Sequence, residues 1–169
     1  MIYVCNLAEL SHHCTAVRPS HVLSLVSPDE LPPTPAGIAQ ERHLRVAVHD
    51  IVEPLDGCVM PDADHVALVI DFLRAWRHDE APVLIHCVAG ISRSMAAALI
   101  GLVVKAGGRE QEAARALRRA APHAWPNRQI VALADQQLGC AGRLIAAREA
   151  MGPAEIAGFG PLVRVDLLP

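Results

Sequence analysis

Residues 83–106 restrict the possible folds more than any other stretch of the chain. Val83-Leu84-Ile85 follows Pro82 as a continuous apolar run, the pattern of a strand buried on both faces of a parallel sheet. His86 and a short loop, Cys87–Arg93, come next. Ser94–Ala106 then predicts a helix that is apolar on nearly every side and stops at Gly107-Gly108. A helix without a polar face belongs at the centre of a structure. A doubly buried strand feeding such a helix requires helices packed on a sheet, so the expected class is α/β.

The rest of the chain fits that class. Ile2–Cys5 and Val22–Val26 read as strands around a helix over Leu7–Val17, a β-α-β opening. Ser27–Gly37 carries Pro28, Pro32, Pro33 and Pro35 and is expected to be irregular. Leu44, Val46 and Val48 alternate with Arg45 and Ala47 as a further strand ending at His49-Asp50. Pro61-Asp62-Ala63-Asp64 is a helix start. Val66, Val69, Ile70, Leu73 and Trp76 continue it at helical spacing to an end near His78-Asp79. Glu110–Ala121, Arg128–Leu138 and Ala141–Ala150 predict three more helices, and Leu162–Leu167 is strand-like. The expectation is a mostly parallel central sheet flanked by helices. Residues 1–151 form a single domain on this reading, and 152–169 form a C-terminal tail of unassigned role.

Composition narrows the partners. A formal net charge of −3 offers no electrostatic footprint for nucleic acid or an anionic membrane. No apolar run approaches the ~20 residues that span a bilayer. Met1 leads straight into a strand without a basic-apolar leader. The five cysteines are odd in number and form no C-x-x-C pair, which suits free thiols and a cytoplasmic setting. His12-His13-Cys14 lacks a second ligand pair at zinc spacing, so no metal and no cofactor are expected.

The loop between the central strand and helix is where chemistry is expected. Gly90 allows a sharp turn, and the backbone N–H groups of Val88, Ala89, Gly90, Ile91 and Ser92 can form an anion-binding nest. The following helix adds the positive end of its dipole. Arg93 offers a planar fork to a phosphate or another tetrahedral oxyanion. Cys87 lies at the base of this bowl, and a helix N-terminus with a cation beside it favours the thiolate. Attack on phosphorus would form a cysteinyl-phosphate that water hydrolyses. Ser94 either caps the helix or hydrogen-bonds the sulfur and eases its departure. Ser92 shapes the loop. His86, ending a buried strand, is read as a supporting hydrogen-bonder more than a reactant.

His86-Cys87-x5-Arg93-Ser94, with Ala89-Gly90-Ile91-Ser92 inside it, resembles the signature of the protein tyrosine phosphatase superfamily, most closely its dual-specificity branch. The resemblance covers roughly Leu44 to Leu138. It implies a phosphotyrosine protein phosphatase-like fold, Cys87 as nucleophile and Arg93 as phosphate clamp. It also implies a general acid from a preceding loop. Asp50 matches by order and position, with Glu53 and Asp56 as alternatives in the same loop. Asn127 resembles a family asparagine that braces the phosphate loop, although Pro126-Asn127 would equally make a turn and helix cap. The implied partner is a phosphorylated protein or a small phosphomonoester, with oligomeric state open. The non-enzymatic alternative is a pseudophosphatase, a module that binds phosphate without turnover. Lys105 is the sole lysine among 15 basic residues, an arginine bias suggesting a bacterial member. With Tyr3 the single tyrosine and few other aromatics, an aromatic wall for phosphotyrosine is not expected.

Overall fold

The structure is a computed structural model that describes residues 1–77, 79 and 81–169. Its five strands are β1 (Ile2–Asn6), β2 (His21–Val26), β3 (His43–Ala47), β4 (Val83–Cys87) and β5 (Val163–Val165). They form one sheet in the order β3-β2-β4-β1-β5. The first four strands run parallel, and β5 pairs antiparallel with β1. The six helices are α1 (Leu10–Val17), α2 (Ala63–Ala75), α3 (Arg93–Ala106), α4 (Glu110–Ala120), α5 (Arg128–Gln137) and α6 (Arg143–Glu149). The α/β class and mostly parallel sheet expected from the pattern are what the chain adopts.

Both faces of the sheet are covered, as parallel sheets require. Ile2, Val4, Val83 and Ile85 join the large core built on α2 to α6, while Cys5, Val22 and Leu84 face Leu10 and Cys14 of α1. Helix α3 is the hub, with every residue from Arg93 to Val103 buried. Its Ala96-Ala97-Ala98 run and Gly101 let it approach the sheet closely. An added Cβ at Gly101 would sit 2.9 Å from Ile2 Cδ1. The helix ends where Gly107 turns left-handed at φ 64°.

Element ends depart from the sequence expectation for identifiable reasons. Helix α1 starts at Leu10 rather than Leu7. Leu10 N–H closes a tight turn on Leu7 O at 3.2 Å, and helical bonding begins with His13 N–H on Glu9 O. Helix α2 opens with a capping box between Asp62 and His65, which the proline-acid start did not reveal. It ends at Ala75, short of the expected His78-Asp79. Trp76 turns extended, with its indole N–H on Ala81 O and its carbonyl accepting from Lys105 Nζ; His78 lies outside the described residues. The proline-rich stretch is irregular apart from a 3-10 turn at Pro28–Glu30. Among the described residues, no helix is long and apolar enough to cross a membrane.

The register places Cys87 opposite Asn6, and Ser24 opposite His86, at the carboxyl edge of the parallel strands. Ligands of such sheets bind at that edge. Because α3 is packed on all sides, Ile100→Ala should lower unfolding free energy by about 2–5 kcal/mol. Urea unfolding should show this as a lower midpoint with an unchanged slope; no shift would contradict a close-packed hub.

Candidate active site

The loop Val88–Ser92 leaves β4 with its carbonyls claimed from outside. Val88 O accepts from Leu7 N–H (3.1 Å), Ala89 O from Gly160 N–H (2.7 Å) and Ile91 O from Trp125 N–H (2.9 Å). Ser92 O accepts from Ala96 N–H at 2.9 Å and Asn127 N–H at 3.3 Å. In a trans peptide the C=O and N–H point opposite ways. Each outward carbonyl therefore aims the next residue's N–H to the inner side. One of these contacts is direct, since Gly90 N–H donates to Cys87 Sγ at 3.2 Å. Gly90 has φ 73°, and an added Cβ would stand 2.9 Å from the Cys5 carbonyl carbon and 3.0 Å from Asn6 N. Both backbone conformation and space thus demand glycine. Ser94 Oγ lies 3.1 Å from Cys87 Sγ, so the serine offered by the sequence as cap or sulfur partner touches the sulfur. It caps nothing, because the helix N-cap position is Ser92.

Arg93 begins α3 and is 5% exposed. One Nη donates to Val48 O at 2.7 Å, which pins the guanidinium under the loop. Its Nε is buried without a hydrogen-bond partner, and among the described residues no carboxylate pairs with it. A buried cation with an unmatched donor is costly unless an anion meets it. An oxyanion above the inward amides would satisfy both.

Asp50 stands across the loop on an exposed turn. Its Oδ1 accepts from Ser92 Oγ at 2.7 Å and from Asn127 Nδ2 at 2.8 Å. Asn127 does both jobs left open by the sequence. Its Oδ1 caps α5 by accepting from Gln129 and Ile130 N–H, while its Nδ2 and backbone N–H hold Asp50 and the loop. Glu53 instead points to the exposed Arg128, 3.2 Å away. Of the three acids in this turn, Asp50 is the one hydrogen-bonded to the loop Val88–Ser92. The Ser92–Asp50 bond gives Ser92 a function beyond shaping the loop.

Behind Cys87 lies a polar network buried in the sheet. His86 Nε2 and His43 Nε2 share Ser24 Oγ, at 2.5 and 2.8 Å, and His43 Nδ1 meets Thr34 Oγ1 at 3.1 Å. His86 Nδ1 faces the Cys87 backbone without reaching ordinary hydrogen-bond geometry. Burial pushes His86 down to about 4, partly offset by the Cys87 backbone and reinforced by His43 and Arg93. Burial, then Arg45, pushes His43 down to about 4 as well. Burial thus favours the neutral ring of His86, which Ser24 holds within the sheet. Ser24 and His43 went unnoticed in the sequence; the one available signal was a serine inside the apolar strand His21–Val26.

Beside Asp50 and Ser92 runs a groove walled by Trp125, Asn127, Arg128 and Arg148. Arg148 stacks 4.7 Å from the Trp125 ring centroid and donates to Pro126 O. The sequence reading expected no aromatic wall, yet it overlooked Trp125, which is 47% exposed next to the loop. Among the described residues there is no cluster of three or more His, Cys, Asp or Glu able to hold a metal ion.

Known structures share this architecture. The chain superposes on a crystal structure of human DUSP28 with a TM-score of 0.60 and 21% identity, covering 89% of this chain and 92% of that one. A mouse putative dual specificity phosphatase, crystallised with zinc tungstate, matches with a TM-score of 0.61 and 24% identity over 86% of both chains. The human tyrosine phosphatase-like serine/threonine/tyrosine-interacting protein matches with a TM-score of 0.60 and 16% identity over 83% and 92%. A search of curated protein sequences found no match. The family model for protein-tyrosine phosphatase matches residues 39–130, more than half of the chain. The chain belongs to the protein-tyrosine phosphatase family.

The buried histidines make stability depend on pH. Folded His43 and His86 stay neutral down to about 4, whereas unfolded histidine takes up a proton near 6.5. Between those values the unfolded chain binds more protons, so stability is full above the window and falls as pH drops through it. The slope approaches roughly 1.4 kcal/mol per pH unit for each histidine. Urea unfolding should show lower stability at about pH 5 than at about pH 7, and His43→Gln should reduce that difference by about half. Equal wild-type stability at both pH values would contradict neutral burial.

Proposed function

We propose that the chain is a phosphate monoester hydrolase, a protein tyrosine or dual-specificity phosphatase acting through a cysteinyl-phosphate intermediate. The observation that carries this reading is the buried Arg93, whose unmatched Nε shares one loop with inward amides and the Cys87 sulfur. Membership of the protein-tyrosine phosphatase family supports phosphorylated substrates.

In the first half-reaction the Cys87 thiolate attacks phosphorus and the bond from phosphorus to the ester oxygen breaks. Charge on the equatorial oxygens is met by Arg93 and the N–H groups of the loop Val88–Ser92. Asp50 gives the leaving oxygen its proton from Oδ2, the oxygen not engaged by Ser92 and Asn127. In the second half-reaction water attacks phosphorus, Asp50 accepts its proton and the phosphorus–sulfur bond breaks. Ser94 Oγ–H, 3.1 Å from Sγ, steadies the departing thiolate, and inorganic phosphate leaves. His86 and Asn127 act by holding the loop and Asp50. The exposed position of Asp50 favours an open rim and broad specificity over a deep slot. Retention of nucleophile, clamp and tethered acid together weighs against a binding module without turnover.

Hydrolysis of p-nitrophenyl phosphate provides the test. Wild-type protein should turn it over, and Cys87→Ser should be inactive. On aryl phosphates with poor leaving groups, Asp50→Asn should cost about 10²–10⁴-fold in kcat. An inactive wild type across pH would sink the enzyme reading. An active Cys87→Ser would sink the covalent mechanism, and a loss seen with Glu53→Gln but not with Asp50→Asn would reassign the acid.

A further inference from the structure

Gly160 lies 67 or more residues beyond the phosphate loop in sequence, in the segment after α6, yet its N–H donates to Ala89 O at 2.7 Å. That carbonyl belongs to the Ala89–Gly90 peptide, whose N–H is the one donated to Cys87 Sγ at 3.2 Å. We propose that Gly160 is a positioning residue that orients the Ala89–Gly90 peptide toward the Cys87 sulfur, a role that rests on the phosphatase reading above.

Three observations carry it. First, donor, peptide and sulfur form a continuous chain. A hydrogen bond to one end of an amide polarises it and strengthens the bond made at the other end. Second, the fit permits no side chain at Gly160. An added Cβ would stand 2.7 Å from His123 Nε2 and 2.8 Å from Gly90 O, itself part of the loop. Gly160 has no left-handed φ, so close approach alone explains glycine here. Third, the segment is fastened on both sides of that contact. Arg118 donates to Met151 O and Gly152 O, and Glu155 N–H donates to Pro122 O. Beyond Gly160, β5 joins β1 with Val163 opposite Val4. The Gly160 carbonyl is held in turn by Asn6 Nδ2 at 3.1 Å, and Asn6 is the register partner of Cys87. Gly158, two residues earlier, has open space around it and supplies a matched control.

The test compares wild type, Gly160→Ala and Gly158→Ala by thermal unfolding, by titration with inorganic phosphate, and by the rate of Cys87 alkylation with iodoacetate at neutral pH. Gly160→Ala should keep a folded, cooperative transition. It should bind phosphate about tenfold more weakly and alkylate several-fold more slowly, as expected when preorganised loop donors are displaced. Gly158→Ala should match wild type in all three. Wild-type behaviour of Gly160→Ala, or equal losses in both variants, would overturn the proposal. If Gly160→Ala does not fold, Asn6→Ala is measured instead, since it frees the Gly160 carbonyl without adding bulk. It should shift binding and alkylation in the same direction, and no shift would overturn the proposal. A wild type that binds no phosphate would instead defeat the phosphatase reading, and this inference with it.

Discussion

A loop that meets an anion with its own amides must first dispose of its carbonyls. Left free, the carbonyl oxygens of Val88, Ala89, Ile91 and Ser92 could turn inward and repel the ligand. In this protein each is engaged by a backbone donor from elsewhere: Leu7, Gly160, Trp125, and Asn127 together with Ala96. Peptide planarity converts those external bonds into internal polarity. Much of the architecture around the loop follows from supplying these donors. The late start of α1, the turn before α5 and the run of chain that precedes β5 each place an N–H at the loop's outer surface.

Arg93 shows the same economy. It begins the most buried helix, so its charge could not be tolerated without a fixed orientation, and Val48 O provides one. Asp50 lies two residues beyond Val48. The turn that orients Arg93 therefore also delivers the proposed acid, which Ser92 and Asn127 then hold. Arg93, Asp50 and the loop are thus joined through one short stretch of chain, Val48–Asp50.

The architecture was largely legible because burial in a layered α/β fold is written locally. The apolar run Val83–Ile85 and the helix after it could only be central; the strand expected to end at His49-Asp50 stops at Ala47, and the turn beyond it carries Asp50 to the same loop as Cys87. Cys87, Arg93 and Ser94 announce themselves by spacing within a single loop. Contacts made by the backbone are invisible in that sense. Nothing in the identity of Leu7, Trp125 or Gly160 says that its N–H will serve a loop far away in sequence. The Ser24–His43–His86 network was missed for a related reason. It depends on the lateral register of three strands, which alternation within each strand does not specify. The end of α2 was misplaced because tertiary bonds to Ala81 and Lys105 hold Trp76 extended.

The distances along the chain matter for how the site comes into being. Hydrogen bonds that define it join residues 42, 77 and 154 positions apart. Contacts of such separation form only after the intervening chain has been ordered, because loop closure costs entropy before any bond is gained. A strand–loop–helix fragment cut from the centre would have the signature residues but would lack the Leu7, Gly160, Trp125 and Asn127 donors that engage the loop carbonyls. The bonding pattern of the loop therefore depends on the order of the whole chain, the segment leading into β5 included.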